Sequence, residues 1–205
     1  MNRNAACLFG GALMFAGVPA IAGDVASLSF DGTLEATESS FASGNYLGLS
    51  YAYYAGGISV DTHSFTVTEA SQVQIDALSF RMFDSFFDTI LRLYADDGSG
   101  PSAATLVTLG DDHFIGGDLN GSLSPLDSFI DVFLAPGEYT VAIGVLGLTD
   151  DEAAAGSSDG ALFSTESGVP TTGRYRLDVY GSVVPAPGPA ALLAFGGLAL
   201  VRRRR

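Results

Sequence analysis

Residues 139–145 read Tyr-Thr-Val-Ala-Ile-Gly-Val, and this stretch decides the fold class. Its larger apolar side chains occupy every second position, with Thr140, Ala142 and Gly144 between them. Side chains of a β-strand point alternately to opposite faces of the sheet, so a spacing of two predicts a strand with one buried face.

The same alternation recurs on both sides of this strand. Residues 174–179 place tyrosine, leucine and valine on one face and two arginines and an aspartate on the other. Further strands are predicted at 25–34, 62–67, 72–80, 88–94, 105–109 and 128–134, which makes about eight in all.

Turn residues separate these runs, and no segment has the pattern of a long amphipathic helix. Gly98, Gly121 and Gly137 each follow Asp, Asn or Pro between apolar stretches, where glycine supplies the positive φ that tight turns require. We therefore expect an all-β fold, a jelly-roll-like β-sandwich of about eight strands. The Ser-, Gly- and Tyr-rich segment 35–57 fits either a long loop or a strand pair.

Length and charge restrict the function. The 205 residues suffice for one domain, and 23 acidic residues against nine arginines and no lysine give a net charge of −14. Residues 23–184 hold all 23 acidic residues and four arginines, so the formal charge of this acidic domain is −19. Such a surface repels phosphate backbones, which excludes a nucleic-acid partner.

The N-terminus has the pattern of an exported protein. Arg3 precedes an apolar run over 5–18, and Ala20 and Ala22 are the small residues at −3 and −1 that signal peptidase accepts. We predict a signal helix at 1–22, cut after Ala22, in preference to a buried first helix of the domain. The single cysteine, Cys7, would be removed with it.

The C-terminus (185–205) combines prolines, an apolar run and a basic end. Val184, Pro185 and Pro187 precede the apolar residues 190–201, and the chain ends with Arg202, Arg203, Arg204 and Arg205. Twelve apolar residues form a helix of about 18 Å, short of the ~30 Å hydrocarbon core, so the helix is a marginal anchor with transient membrane association. The arginines favour a cytoplasmic end, and the prolines predict an extended, protease-accessible stretch before the helix.

This order resembles the PEP-CTERM sorting signal of exported proteins of Gram-negative bacteria, with Ala186 in place of the usual glutamate. The resemblance implies processing by an exosortase-type membrane enzyme. It also implies an inner-membrane-anchored intermediate, a final location at the cell surface or in the extracellular matrix, and an association with exopolysaccharide and biofilm.

Residues 63–145 resemble the bacterial pre-peptidase C-terminal domain, a β-sandwich module of secreted proteins. The matching pieces are His-Ser-Phe-Thr-Val at 63–67, Asp-Thr-Ile-Leu at 88–91, Asp-Asp-Gly at 96–98, Asp-Ser at 127–128 and Pro-Gly-Glu-Tyr at 136–139. The resemblance implies an accessory or binding module without catalytic residues, of a family in which some members bind calcium.

Acidic residues cluster at the predicted turns. Asp96, Asp97, Asp111 and Asp112 flank a predicted strand pair, and calcium takes six to eight oxygen ligands of this kind. These four residues are the candidate ligands of a calcium site. Because no complete calcium-loop pattern occurs, solvated turn residues that keep an acidic surface soluble are the other interpretation, and both stay open.

Residues suited to catalysis are few. Residues 156–160 have the Gly-x-Ser-x-Gly spacing, but no histidine follows His113, so a flexible loop is expected. His63 and His113 have no second metal-type residue four positions later, so they are expected to be ordinary strand or loop residues. Carboxylate pairs for glycoside hydrolysis cannot be recognised from sequence. Phe80, Phe83, Phe86 and Phe87 are expected in the core, the alternative being an association surface.

We therefore predict a non-enzymatic exported surface or matrix protein, with extracellular polysaccharide as its candidate partner. The alternative is a secreted carbohydrate-binding module or a glycan-active hydrolase whose jelly roll is supported by calcium.

Overall fold

The structure, a computed structural model, describes residues 26–36, 40–46, 49–55, 57–79, 88–111, 127–159, 161–164 and 172–187. These residues contain fourteen β-strands and one short helix. The strands are β1 (Leu28–Glu35), β2 (Ser40–Tyr46), β3 (Leu49–Ala55), β4 (Ile58–Ser59), β5 (Asp61–Val67), β6 (Ser71–Leu78), β7 (Thr89–Ala95), β8 (Leu106–Gly110), β9 (Phe129–Leu134), β10 (Gly137–Val145), β11 (Ser157–Ser158), β12 (Ala161–Ser164), β13 (Thr172–Tyr180) and β14 (Val183–Pro185), and the helix is α1 (Asp150–Ala155). Both terminal segments predicted as helices lie outside the described residues.

Two antiparallel sheets form the body of the domain. One has the order β1-β13-β6-β9 and the other the order β14-β5-β10-β7-β8. Each of the eight predicted strands corresponds to an observed one, with ends shifted by up to three residues. Numbered along the chain, these eight occur as 1-8-3-6 in one sheet and 2-7-4-5 in the other. The prediction of an all-β sandwich is confirmed.

The core lies between the two sheets, where the alternating apolar residues meet. Val141, Ile143 and Val145 of β10 are completely buried, and Leu177 and Val179 of β13 face them from the other sheet. The period of two read from 139–145 thus marks the inward face of a central strand.

Segment 35–57 contains a strand pair, the second of the two alternatives for it. Strands β2 and β3 pair from Ser40↔Ala55 to Tyr46↔Leu49, and β12 adds to the other edge of β3. The short strands β4 and β11 form a separate two-stranded sheet.

The five-stranded sheet has a second, smaller core on its outer face. It contains Ile90 and Tyr94 from β7, together with Leu148 and Ala153 from the connection after β10 and from α1. Helix α1 starts at a capping box, in which the Thr149 hydroxyl and the Glu152 carboxylate each accept from the other residue's backbone N–H.

Candidate functional site

The predicted sorting motif begins inside the folded domain. β14 forms the edge of the five-stranded sheet, with Val184 opposite Thr66 and Pro185 opposite Phe65. Val183 is buried in the main core and Val184 is 45% exposed. The stretch predicted to be extended and accessible is therefore extended, but its first residues are paired in a sheet. Proline suits this position because an edge strand needs no donor on its outer side.

Backbone hydrogen bonds hold β14 from both ends. Thr68 N donates to Ser182 O at 2.9 Å, and Ala186 N donates to Ser64 O at 3.4 Å. The turn that leads into β14 uses Gly181 at φ +130°, where a Cβ atom would lie 2.9 Å from Gln72 O. Only glycine fits this turn without strain. Arg202 to Arg205, like the predicted cleavage residues Ala20 and Ala22, lie outside the described residues.

The structure places two of the predicted calcium ligands, Asp96 and Asp97, in the turn that follows β7. The Asp96 carboxylate accepts from Gly98 N at 2.9 Å, and the Asp97 carboxylate accepts from the side chain and backbone of Ser99. The hydrogen bonds from Ser99 lower the pKa of Asp97. These carboxylates stabilise the turn in which they lie, which is the role that the alternative to calcium binding predicts.

The third predicted ligand, Asp111, lies at the other end of the β7–β8 pair. Tyr94 pairs with Leu106 and Leu91 pairs with Gly110, so β8 runs away from the Asp96 turn toward Asp111. Five residues of strand span about 17 Å, several times the reach of one calcium ion. The structure therefore does not bring Asp96 and Asp97 together with Asp111. Asp112 lies outside the described residues, and within those described no three metal-binding side chains converge.

A polar chain that sequence reasoning missed lies between the two sheets. The Tyr175 hydroxyl of β13 donates to Asp61 Oδ2 at 2.7 Å and lies 2.6 Å from His63 Nε2, both on β5. Because the tyrosine has one proton and donates it to Asp61, His63 Nε2 carries the hydrogen of the second bond. Phe30 stacks on the imidazole with ring centroids 4.5 Å apart.

This chain, the interior clamp of Asp61, His63 and Tyr175, occupies a crowded site. Tyr175 is 1% exposed and stands opposite Gly32 of β1, where an added Cβ would lie 2.1 Å from its hydroxyl oxygen. Burial lowers the pKa of His63, although the nearby Asp61 charge acts in the opposite direction. Burial also raises the pKa of Tyr175, and the bond to Asp61 adds to this effect.

The interior clamp does not have the chemistry of a catalytic site. A tyrosine whose pKa is raised and whose proton is already donated to a carboxylate is a weak nucleophile. A general base, in turn, has to reach a proton of the substrate. The clamp joins β5 of one sheet to β13 of the other and fixes their separation. One signal in the sequence could have found it, since Asp61 and His63 have the same parity as the buried Phe65 and Val67.

A second network, the outer latch, holds the start of α1 against the five-stranded sheet. Arg92 contacts Asp150 Oδ1 through Nη2 at 2.8 Å and Nε at 2.9 Å, and its Nη1 donates to Leu148 O at 2.8 Å. Tyr94 donates to the same Asp150 oxygen at 2.8 Å. Burial and the bond to Asp150 raise the pKa of Tyr94 to about 12. Burial opposes the charged form of Arg92, but the hydrogen bonds to Asp150 and Tyr94 outweigh it and raise the pKa of Arg92.

Two acidic residues also stand side by side on the four-stranded sheet. Asp178 of β13 pairs with Asp76 of β6, and their exposed fractions are 4% and 1%. Asp178 Oδ1 accepts from Ser29 at 2.5 Å and from Arg176 at 2.9 Å. Because a glycosidase needs its carboxylates open to the substrate, this buried pair is unsuited to hydrolysis.

The Gly-x-Ser-x-Gly spacing also lacks the surroundings of a nucleophile. Gly156 ends α1 at φ +72°, and Ser157 and Ser158 follow as β11, with Ser158 buried. A nucleophile elbow needs a strand before the serine and a helix after it, which is the reverse of this order. His113 and the four phenylalanines at 80–87 lie outside the described residues.

One exposed aromatic ring lies on the surface of the four-stranded sheet. Phe133 of the edge strand β9 is 66% exposed and pairs with Gln72 of β6. The Gln72 amide donates to Asp131 Oδ1 at 2.5 Å, so an amide and a carboxylate lie beside the ring. No helix within the described ranges is long and apolar enough to cross a membrane.

Comparison with known proteins gives two weak structural similarities. No family model and no curated protein matches the chain. The chain is similar to the pre-peptidase C-terminal domain of collagenase from Bacillus anthracis, at 12% identity and TM-score 0.37, over 74% of this chain and 87% of that one. It is also similar to a structure of infectious bursal disease virus Gt strain, at 12% identity and TM-score 0.17, over 88% and 49% of the two chains. At these scores neither similarity defines a family.

Proposed function

We propose that this is an exported, non-enzymatic protein of the bacterial surface or extracellular matrix. The observation that carries the proposal is the position of β14, which brings the chain out of the sandwich at the edge of a sheet. The proline-rich, apolar and arginine-rich segments then follow directly. A signal peptidase would act at Ala22, and an exosortase-type enzyme would act on a PEP-CTERM-like signal that starts at Val184.

The order of the strands supports a jelly roll as the architecture of this protein. An order of 1-8-3-6 facing 2-7-4-5 is the order of a jelly roll, and it supports that architecture over other sandwiches. Jelly rolls often serve as binding modules, which agrees with a role in a polysaccharide matrix and with the accessory module implied by the sequence resemblance.

The experiment that tests export and sorting is the intact mass of the protein recovered from the cell surface and the medium. We expect a chain that starts at Gly23 and has lost its C-terminal arginines. Variants in which Pro185 and Pro187 are replaced by Ala, or from which Arg202 to Arg205 are deleted, should lose this form. A wild-type chain that still ends at Arg205 in the membrane would contradict the proposal.

Calcium binding is a separate part of the proposal, and geometry limits it to one end of the β7–β8 pair. Titration calorimetry with Ca²⁺ compares Asp96→Asn with Asp111→Asn. Because these residues lie at opposite ends of β8, one calcium ion cannot contact both. If Asp96→Asn reduces the heat of Ca²⁺ binding, we therefore expect Asp111→Asn to bind Ca²⁺ with the wild-type heat. Equal loss in both variants would contradict this placement.

A second candidate function, carbohydrate binding, is favoured by the exposed ring of Phe133. Sugar rings stack their C–H faces on aromatic rings, and Gln72 and Asp131 offer hydrogen bonds beside it. The net charge makes a neutral polysaccharide the expected ligand. Phe133→Ala should abolish retardation in gels that contain a neutral glucan, while Leu109→Ala, another exposed residue, serves as the matched control.

A further inference from the structure

We infer that the domain keeps β14 as a permanent part of its sheet, and that the cut separating it from the C-terminal segment falls after Ala186. This inference deepens the proposed function and rests on it. It limits the processing position to the Ala186–Pro187 bond and the bonds beyond it, in a chain whose sequence alone offers every bond from Val184 onward.

β14 is anchored to the domain at both of its ends. Its three residues are bracketed by the hydrogen bonds Thr68 N to Ser182 O and Ala186 N to Ser64 O. The Thr68 hydroxyl donates to Ser182 O as well, at 3.1 Å. Ser27 Oγ donates to Gly181 O at 2.9 Å, which ties the entry turn to the start of the domain. Pairing thus extends up to the nitrogen of Ala186.

A buried side chain also holds β14 in the sandwich. Val183 is 8% exposed and belongs to the main core, whereas its neighbour Val184 faces outward. Detaching β14 therefore exposes an apolar side chain of the core as well as breaking hydrogen bonds. The strand is a part of the sandwich, although its sequence lies at the start of the predicted sorting motif.

The pairing of β14 with β5 also obstructs peptide cleavage within the strand. A processing enzyme binds its substrate as an extended strand, and its nucleophile and oxyanion donors approach the scissile carbonyl from different sides. β5 occupies one side of β14 along Val183–Pro185. The Ala186–Pro187 bond is the first that lies beyond this pairing.

The test uses the full chain purified in detergent, with proteinase K in limiting amounts as the probe, because this protease does not depend on a sorting signal. Mass spectrometry identifies the C-termini of the products. We expect the folded wild-type chain to give no product that ends between 181 and 185, because such an end requires a cut inside the paired segment. A wild-type product that ends within this range, under conditions where the domain is otherwise intact, would overturn the inference.

Two adjacent valines provide a matched pair of variants. Val183→Ser removes the buried side chain and should speed cleavage at 181–186 by about tenfold, because the detached state becomes more populated. Val184→Ser changes the exposed neighbour and should leave this rate within about twofold of the wild-type rate. Equal rates in the two variants would overturn the inference, and Val183→Thr replaces the serine variant where the latter fails to fold.

The two proposals fail in different ways. A protein recovered from cells with its C-terminus between 181 and 185 overturns the inference and leaves sorting intact. A protein that remains unprocessed in cells, but resists proteinase K up to Ala186, overturns the sorting proposal and supports the protected strand.

Discussion

The interior clamp and the outer latch use nearly the same side chains in two different environments. Each places a tyrosine hydroxyl between a carboxylate and a nitrogen donor, with all four bonds shorter than 3.2 Å. The clamp lies between the sheets, whereas the latch lies on the outer face under α1. In the clamp the nitrogen donor is the imidazole of His63, and in the latch it is the guanidinium of Arg92.

The difference shows how burial selects the protonation state of a polar contact. Burial lowers the pKa of His63, so the clamp contains one neutral base and one carboxylate. The latch retains a charged pair, and Arg92 and Asp150 have side-chain exposures of 13% and 19%. A buried charge is costly unless it is paired, and an arginine can pair through several donors at once. The stability that the clamp contributes should therefore depend on steric fit and on pH. The stability that the latch contributes should depend on its charged pair.

The largest effect should come from the fit of the clamp. In Gly32→Ala the new Cβ would overlap the Tyr175 ring, whose nearest atoms would lie 2.1 to 2.6 Å away. We expect a loss of about 3 kcal/mol in the free energy of unfolding, measured with urea. Gly137→Ala is the control, because its Cβ would meet nothing closer than 3.6 Å. A loss below 1 kcal/mol for Gly32→Ala would mean that Tyr175 is not held there.

The next effect distinguishes the two tyrosines. Tyr175→Phe removes both hydrogen bonds of the clamp and leaves His63 and Asp61 without them, which should cost about 2 kcal/mol. Tyr94→Phe should cost about 0.5 kcal/mol, because Asp150 keeps both contacts with Arg92. Equal losses in urea unfolding would contradict the distinction between clamp and latch.

The contrast also explains how much the sequence could predict. Alternation in 139–145 and 174–179 located strands that bury one face, and the eight predicted strands were confirmed because this signal is local. The two-residue strands β4 and β11 and the edge strand β14 were not predicted, since short pairings depend on neighbours distant in the sequence.

The candidate sites were less accessible to prediction than the strands. His63 looked isolated because its partner Tyr175 is 112 residues away. Asp96, Asp97 and Asp111 looked like one cluster because all three follow predicted strands at turns. The length of β8 separates Asp96 and Asp97 from Asp111 in space, and the positions of the turns in the sequence do not show this. Sequence spacing indicated which residues are polar, and only the register showed which of them meet.

A smaller effect concerns the helix that the outer latch holds. Thr149→Ala removes the hydroxyl that accepts from Glu152 N, and it should cost about 1 kcal/mol. Asp150 follows directly, so the loss should also loosen the contact with Arg92. Hydrogen exchange should then rise in 150–155 and stay unchanged in β13. Thr149→Ser, which keeps the cap, should behave like the wild type, and uniform acceleration across the domain would contradict a local role.

The smallest effect is the pH dependence of the clamp, and its sign follows from the pKa of His63. This pKa lies below 6.5 in the folded protein, so the unfolded chain binds the proton more readily. The contribution of His63 to stability is complete above pH 6.5 and is lost as the pH falls through the folded pKa. Urea unfolding of wild type and His63→Gln, which also offers an N–H to Tyr175, should therefore converge as the pH falls from 7.5 to 5.5. A gap between the two that widens toward pH 5.5 would mean that Asp61 outweighs burial and that His63 is protonated in the folded clamp.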